Sequence, residues 1–310
     1  MKRLIALVLC LSLCLSLAAC APGEQESGDR LSVVCTIFVP YDFARTIGRD
    51  LVNVKMLIAP GAEVHSYDPT PGDLRDISSC DVFLWVGGES ETWARELLRD
   101  GGEGRKTLAL MDCVDLLTEE VTPGMTSEEA PGTSDEYDEH VWTSPVNARE
   151  IALRIGEVFA EADPDHADVY RANARDLAGA LEVLDGEFRA VTETAKRREL
   201  VFGDRFPLRY FVEEYGLSYE AAFPGCASET EPSAATVAAL TDRVRAHGIP
   251  VVLKIELSSD RVARAICEST GAGLRTFYSC HNVSAEDFKN QETYLSLMYK
   301  NLATLREALN

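Results

Sequence analysis

Five histidines occur among the 310 residues of the chain, and three of them fall in segments that read as loops. His65 lies in APGAEVHSYDPTPGDL, His140 in YDEHVWTSP and His281 in YSCHNVS. A neutral imidazole presents one lone pair, and several imidazoles beside carboxylates make a site for a borderline-soft divalent cation. The carboxylates expected near them are Asp204 in VFGDRFP, Glu229 and Glu231 in ASETEPS, and Glu256 in LKIELSSD. One histidine alone in a loop is more often a solvated or capping residue. Three on one rim shift the balance to a metal. His166 and His247, in DPDHAD and RAHG, stand in polar helical company and read as surface residues.

A shared rim requires elements that deliver these loops to one place. Strand-length apolar runs alternate with helical stretches through most of the chain. LSVVCTIFV (31–39), VNVKMLIA, DVFLWVGG (81–88) and KTLALMD (106–112) read as strands, separated by helices around Phe43, Ile47 and Leu51, in PTPGDLRDISSC, and from about Glu91 to Arg99. A second series follows residue 200, with ELVFGD, LSYEAAF, IPVVLKIEL and LRTFYS as strands and a closing helix from about Asp287 to Leu309. Such alternation is the pattern of an α/β fold with parallel sheets covered by helices. Between the two series, Tyr170, Ala174, Leu177, Leu181, Leu184, Phe188 and Val191 form one apolar stripe, which predicts a long helix. The expected organisation is therefore an N-terminal βα lobe (31–162), a linking helix (163–199) and a C-terminal βα lobe (200–310). In open α/β sheets ligands bind beyond the carboxyl ends of the strands, where the three histidine loops fall. Residues 118–139, TEEVTPGMTSEEAPGTSDEYDE, break the pattern with acids, prolines and glycines and no apolar period, and read as an acidic loop.

Residues 1–19 have the basic start and apolar stretch of an export signal, and LAAC at 17–20 resembles a lipoprotein processing box. Cys20 is then the expected lipid acceptor, and residues 20–30 a polar tether. The expected location is outside the cytoplasm, held to the membrane by lipid. A net charge of −21 repels nucleic acid and attracts cations. With Cys10 and Cys14 in the leader and Cys20 the lipid acceptor, six of the nine cysteines remain, without CxxC spacing, so a cysteine zinc site is not expected. If one disulfide forms, Cys226 and Cys280, both in loop-like stretches, are the expected pair.

LIAPGAEVHSYDPTPGDLRDISSCDVFLWVGG, DEHVWTSPVNA and FPGCASETEPSAATVAAL resemble the zinc- and manganese-binding lipoproteins that feed ABC transporters. The similarity runs from about residue 31 to 310. It implies two lobes joined by a rigid helix, with one metal ion between them. His65 and His140 match the first two ligands of that family. At the position of its third ligand, counted back from Tyr210 and Phe211, this chain has Arg205, so Asp204 next door is the expected substitute. Near the last strand, where the family often has aspartate, His281 is the expected ligand. The set His65, His140, His281 and Asp204 suits zinc better than manganese, which favours oxygen. The resemblance implies a membrane permease as partner and a monomer. Rival readings are a metal-dependent hydrolase, with Glu231 or Glu256 as base, and an adhesive surface lipoprotein stabilised by metal. Against the hydrolase, no HExxH, GxSxG or GxxxxGK motif occurs.

Overall fold

The computed structural model describes residues 30–310 apart from 65–66, 100–103, 127–131, 226 and 228–230. Leu31–Cys35 (β1), Val52–Met56 (β2), Val82–Trp85 (β3) and Lys106–Ala109 (β4) form a parallel sheet in the order β2-β1-β3-β4. The strand expected over 31–39 is shorter than predicted, because Phe38 already opens the helix Phe38–Gly48 (α1). Pro71–Ser79 (α2) begins as its sequence dictates. Pro71 sits in the first turn, and the Asp73 amide donates to Thr70 Oγ1 at 3.2 Å while the Thr70 amide donates back to Asp73 Oδ2 at 3.0 Å. Thr92–Arg99 (α3) follows β3.

The described parts of the acidic segment form strands that its composition does not suggest. Thr118–Val121 (β5) and Gly132–Tyr137 (β6) pair antiparallel, Thr118 opposite Tyr137 and Val121 opposite Gly132. Pairing is decided by the neighbours. Val121 is buried, the Tyr219 hydroxyl bonds Glu120, and the Thr126 amide donates to Ala222 O at 2.9 Å. The ribbon thus lies against the second half of the molecule.

Pro145–Ala162 (α4) leads to Ala167–Glu193 (α5), whose 27 residues span about 40 Å. Gly156 lets the two helices touch: a Cβ there would stand 2.5 Å from that of Ala174. Glu199–Phe206 (β7), Ser218–Pro224 (β8), Val251–Lys254 (β9) and Gly273–Thr276 (β10) make the second parallel sheet, ordered β10-β9-β7-β8. Arg209–Tyr215 (α6), Ala234–His247 (α7) and Arg261–Thr270 (α8) connect its strands. The closing helix comes in two pieces, Ala285–Lys289 (α9) and Tyr294–Leu309 (α10). Gln291 at φ 57 breaks it, and a capping box between Thr293 and Ser296 restarts it.

One apolar core runs from Val33 and Leu84 of the first sheet, through Leu181, Leu184 and Phe188 of α5, to Phe202 and Leu253 of the second. Each such buried side chain contributes about 1.5–3 kcal/mol. Early and late segments of the described chain are stitched together within it. The Tyr294 amide at the start of α10 donates to Asp42 Oδ2 of α1 at 2.8 Å. Burial pushes the Asp42 carboxyl up to about 6, against the opposing pull of that bond and of Arg45. Among the described residues no helix is long and apolar enough to cross a membrane.

Candidate metal centre

His140 follows β6 and precedes a short turn, Val141–Thr143, whose next residue, Ser144, caps α4. The ring is fully buried. Asp138 fixes it. Its Oδ1 accepts the His140 amide at 2.8 Å and lies 3.1 Å from Nδ1. A carboxylate can only accept, so Nδ1 carries the hydrogen and the lone pair is on Nε2. Asp138 is held in turn by Tyr210 of α6, whose hydroxyl donates to its carbonyl at 2.9 Å and accepts the Leu117 amide at 3.1 Å. Glu139 turns the other way, accepting the Ser90 amide at 2.8 Å.

His281 lies in the loop after β10. Glu256, just beyond β9, accepts the Ser279 amide at 2.7 Å and the Ser279 hydroxyl at 2.8 Å, one on each carboxylate oxygen. Cys280, between Ser279 and His281, takes a left-handed conformation, φ 59, which costs a side-chain-bearing residue roughly 1–2 kcal/mol. From the other side, Trp142 Nε1 donates to Ser279 O at 2.8 Å. One indole therefore joins the two histidine loops.

The result is that the His140 and His281 rings meet edge to face, centroids 5.0 Å apart at 89°, with Trp142 beside both. Their Nε2 atoms are buried. The two rings line one cavity of about 250 Å³ together with Gly61, Ala62, Glu63, Val64, Arg205, Ser258, Ser279 and Glu256. Asn282 pins the 59–64 loop to this wall, its amide donating to Ala59 O and Ala62 O at 2.9 Å each, and the Gly61 amide donates to Val283 O at 2.8 Å. His65 itself lies outside the described residues, as do Cys20, Cys226 and Glu229. Among the described residues no group of three histidines, cysteines or carboxylates gathers as a ligand cluster.

Asp204 is not brought to the pair. The register of β7 against β8 shifts between Phe202 and Arg205, a bulge that places two residues where one would stand. Asp204 consequently faces the adjoining cavity, with Oδ1 accepting the Arg205 amide at 2.8 Å and Oδ2 accepting the Ile255 amide at 3.0 Å and the Ser258 hydroxyl. It ties down the loop after β9. Arg205 is the residue that reaches the histidine cavity. Glu231 is in an exposed ion pair with Arg261, and Glu256, which lines the cavity, has Ser279 on both carboxylate oxygens. Cys280 carries a free thiol, buried in the apolar core, and Cys226, its expected partner, lies outside the described residues. Burial holds that thiol well above its ordinary range. His166 and His247 are half-exposed and paired with Asp163 and Glu199, as their polar surroundings suggest.

Burial would lower the basicity of His140, but Asp138, Glu139 and Glu119 outweigh it and hold its pKa above the ordinary 6.5. Burial pushes the Glu256 carboxyl up to about 7 in spite of the two bonds from Ser279. Asp204 is likewise raised by burial, tempered by Ser258 and the Ile255 and Arg205 amides.

Comparison with known proteins shows the family and the fold. The family model for zinc-uptake complex component A, periplasmic, matches residues 33–308. The zinc-binding lipoprotein AdcA of Streptococcus pneumoniae is 30% identical over 303 residues, covering 96% of this chain and 59% of the relative, so the chain spans little more than half of that protein. The high-affinity zinc uptake system protein ZnuA of Bacillus subtilis is 28% identical over 302 residues, covering 95% of this chain and 94% of the relative. The Zn(II)-bound ZnuA-like domain of Streptococcus pneumoniae AdcA superposes with a TM-score of 0.76 at 28% identity, over 90% of this chain and 99% of the domain.

Proposed function

We propose that this chain, which belongs to the periplasmic zinc-uptake complex component A family, captures one divalent metal ion outside the cytoplasm and delivers it to the membrane permease of an ABC transporter. Zinc is the first choice of ion and manganese the second. The observation that carries the reading is the pairing of two buried imidazoles, His140 and His281, 5.0 Å apart in one cavity. His65 is the third proposed ligand, supported by the loop that leads to it, whose Gly61 to Val64 line the same cavity. Nitrogen donors favour zinc over an ion that prefers oxygen.

The same reading makes Cys20 the lipid-bearing anchor and the protein a monomer, with lobes over 31–162 and 200–310 joined by the 163–199 helix. The core shared by both sheets favours small rearrangements of loops over a wide hinge, so release is assigned to docking on the permease.

The test is metal content and affinity. Chelator-stripped protein is titrated separately with zinc and manganese, in wild type and in His140→Ala and His281→Ala. One zinc per chain, with affinity lost in either variant, is the expected result. Unchanged binding in both variants would sink the assignment, and a preference for manganese would reverse the choice of ion.

A further inference from the structure

The Nε2 atoms of His140 and His281 are shut off from solvent, although both rings line a cavity. A solute can reach them only if one wall of that cavity moves. A second cavity, of about 390 Å³, adjoins the first and is walled in part by exposed Ser259, Arg261 and Glu231. Glu63, Arg205, Leu257 and Ser258 line both cavities and so form the partition between them. The backbone on either side of this partition is firmly held. Asn282 and Val283 fix the 59–64 loop through Ala59, Ala62 and Gly61. Asp204 fixes the turn after β9 through the Ile255 amide and the Ser258 hydroxyl, and Lys254 Nζ donates to Ser258 O at 2.7 Å.

Arg205 Nη2 donates to Glu63 Oε2 at 3.4 Å, joining β7 of the second sheet to the loop after β2 of the first. The Glu63 side chain is half exposed, and an ion pair in that position shifts an equilibrium by about fivefold at most. It is the cheapest of these links to break. Nη1 also donates to Ala227 O at 3.2 Å, which keeps the guanidinium on its own side when the pair opens. Leu257, in the same partition, stands at φ 62, a costly conformation for a leucine, and is 46% exposed. We propose that the ion pair of Glu63 and Arg205, with Leu257, is a gate between the two cavities, and that breaking it admits solutes from the outer cavity to the histidine pair. An arriving dication draws Glu63 and repels Arg205, so a cation helps to open the gate for itself. This rests on the histidine site proposed above for the identity of the cargo alone.

The test reads access directly, on full-length, detergent-solubilised, metal-free protein. Diethyl pyrocarbonate modifies neutral imidazoles, and mass spectrometry follows His140 and His281 at about pH 8, with half-exposed His166 and His247 as internal controls. Glu63→Gln and Arg205→Gln are each expected to speed modification of the buried pair ~3- to 5-fold. The double variant should gain no more than either, because both changes remove one interaction. Raising sodium chloride from ~0.05 to ~0.5 M should speed the wild type and leave the double variant unchanged. Leu257→Ala, which leaves every charge in place, should speed modification and keep the salt response. Unchanged rates in both single variants, or a rise shared equally by His166 and His247, would overturn the gate. So would a salt response that persists in the double variant. Stopped-flow zinc binding should quicken in parallel. Absence of zinc binding would overturn the histidine site, while the modification rates alone decide the gate.

Discussion

Replacing Asp138 by Asn is the most discriminating perturbation of the histidine site. Asparagine keeps the size and one accepting oxygen but removes the charge. In the wild type, Oδ1 accepts both the His140 amide, at 2.8 Å, and the Nδ1 hydrogen, at 3.1 Å, and the side chain is only 2% exposed, so little water screens the pair. A hydrogen bond to a charged group contributes about 1.5–3 kcal/mol and one between neutral groups about 0.5–1.5, a difference of roughly 1–1.5 kcal/mol. Loss of partners behind a metal-bound histidine typically weakens binding about 10–100-fold, or ~1.4–2.8 kcal/mol. The two ranges meet near 10-fold at slightly alkaline pH, which a chelating-fluorophore competition measures directly. The pH dependence gives a second signature. Asp138 holds the His140 pKa above 6.5, so in the wild type protons already compete with the metal at near-neutral pH, while in the variant burial prevails and the competition is weaker. The gap between the proteins should narrow on acidification. Equal affinity at alkaline pH, or a gap that widens toward pH 6, would refute the role given to Asp138.

Acidity should move the metal-free and metal-loaded proteins in opposite directions. Asp42, Glu91 and Glu256 have folded pKa values raised by burial, to about 6, 7 and 7, so the folded state holds more protons than the unfolded one between their ordinary values and these. Stability from these groups is gained as pH falls through that window. The melting temperature of the metal-free protein should rise by ~2 °C or more from pH 7.5 to 5.5 while zinc affinity falls, both read by differential scanning calorimetry with and without zinc. Trp142→Phe deprives the buried Ser279 carbonyl of its donor and should cost ~1–3 kcal/mol in urea unfolding, together with a loss of zinc affinity. Gly156→Ala must separate α4 from α5 and should destabilise by ~1–3 kcal/mol without changing that affinity. Small-angle scattering should show nearly the same radius of gyration with and without zinc, and a large compaction would contradict a core continuous between the sheets.

The βα alternation and the long helix were legible because strand and helix periods depend on local sequence, and the apolar stripe from Tyr170 to Val191 is buried as its spacing requires. The closing helix was read as one piece because no proline or glycine marks the break, although Thr293 and Ser296 carry the capping signal. The β5 and β6 pairing was hidden, since it depends on a surface supplied by β8 and α7. The site divides in the same way. That His140 and His281 would share one rim was readable from residue type and loop position. The choice between Asp204 and Arg205 was not: chemistry favoured the acid, while a one-residue bulge in β7 decides which neighbour faces the cavity. Asp138 had a faint signal, an acid two residues before a histidine. Tyr210 and Ser279 had none, because their roles exist only once Asp138 and Glu256 are close in space.

The stitching of early to late segments of the described chain sets an order of assembly. His281 O accepts the Phe38 amide at 3.3 Å, and Asn282 and Val283 hold the 59–64 loop, while Tyr294 is anchored on Asp42. A nascent chain that ends before His281 lacks one of the two paired histidines and the clasp on the 59–64 loop as well. The arrangement around His140 and His281 is therefore complete only once the segment through Tyr294 has been made and has found the helix that begins at Phe38.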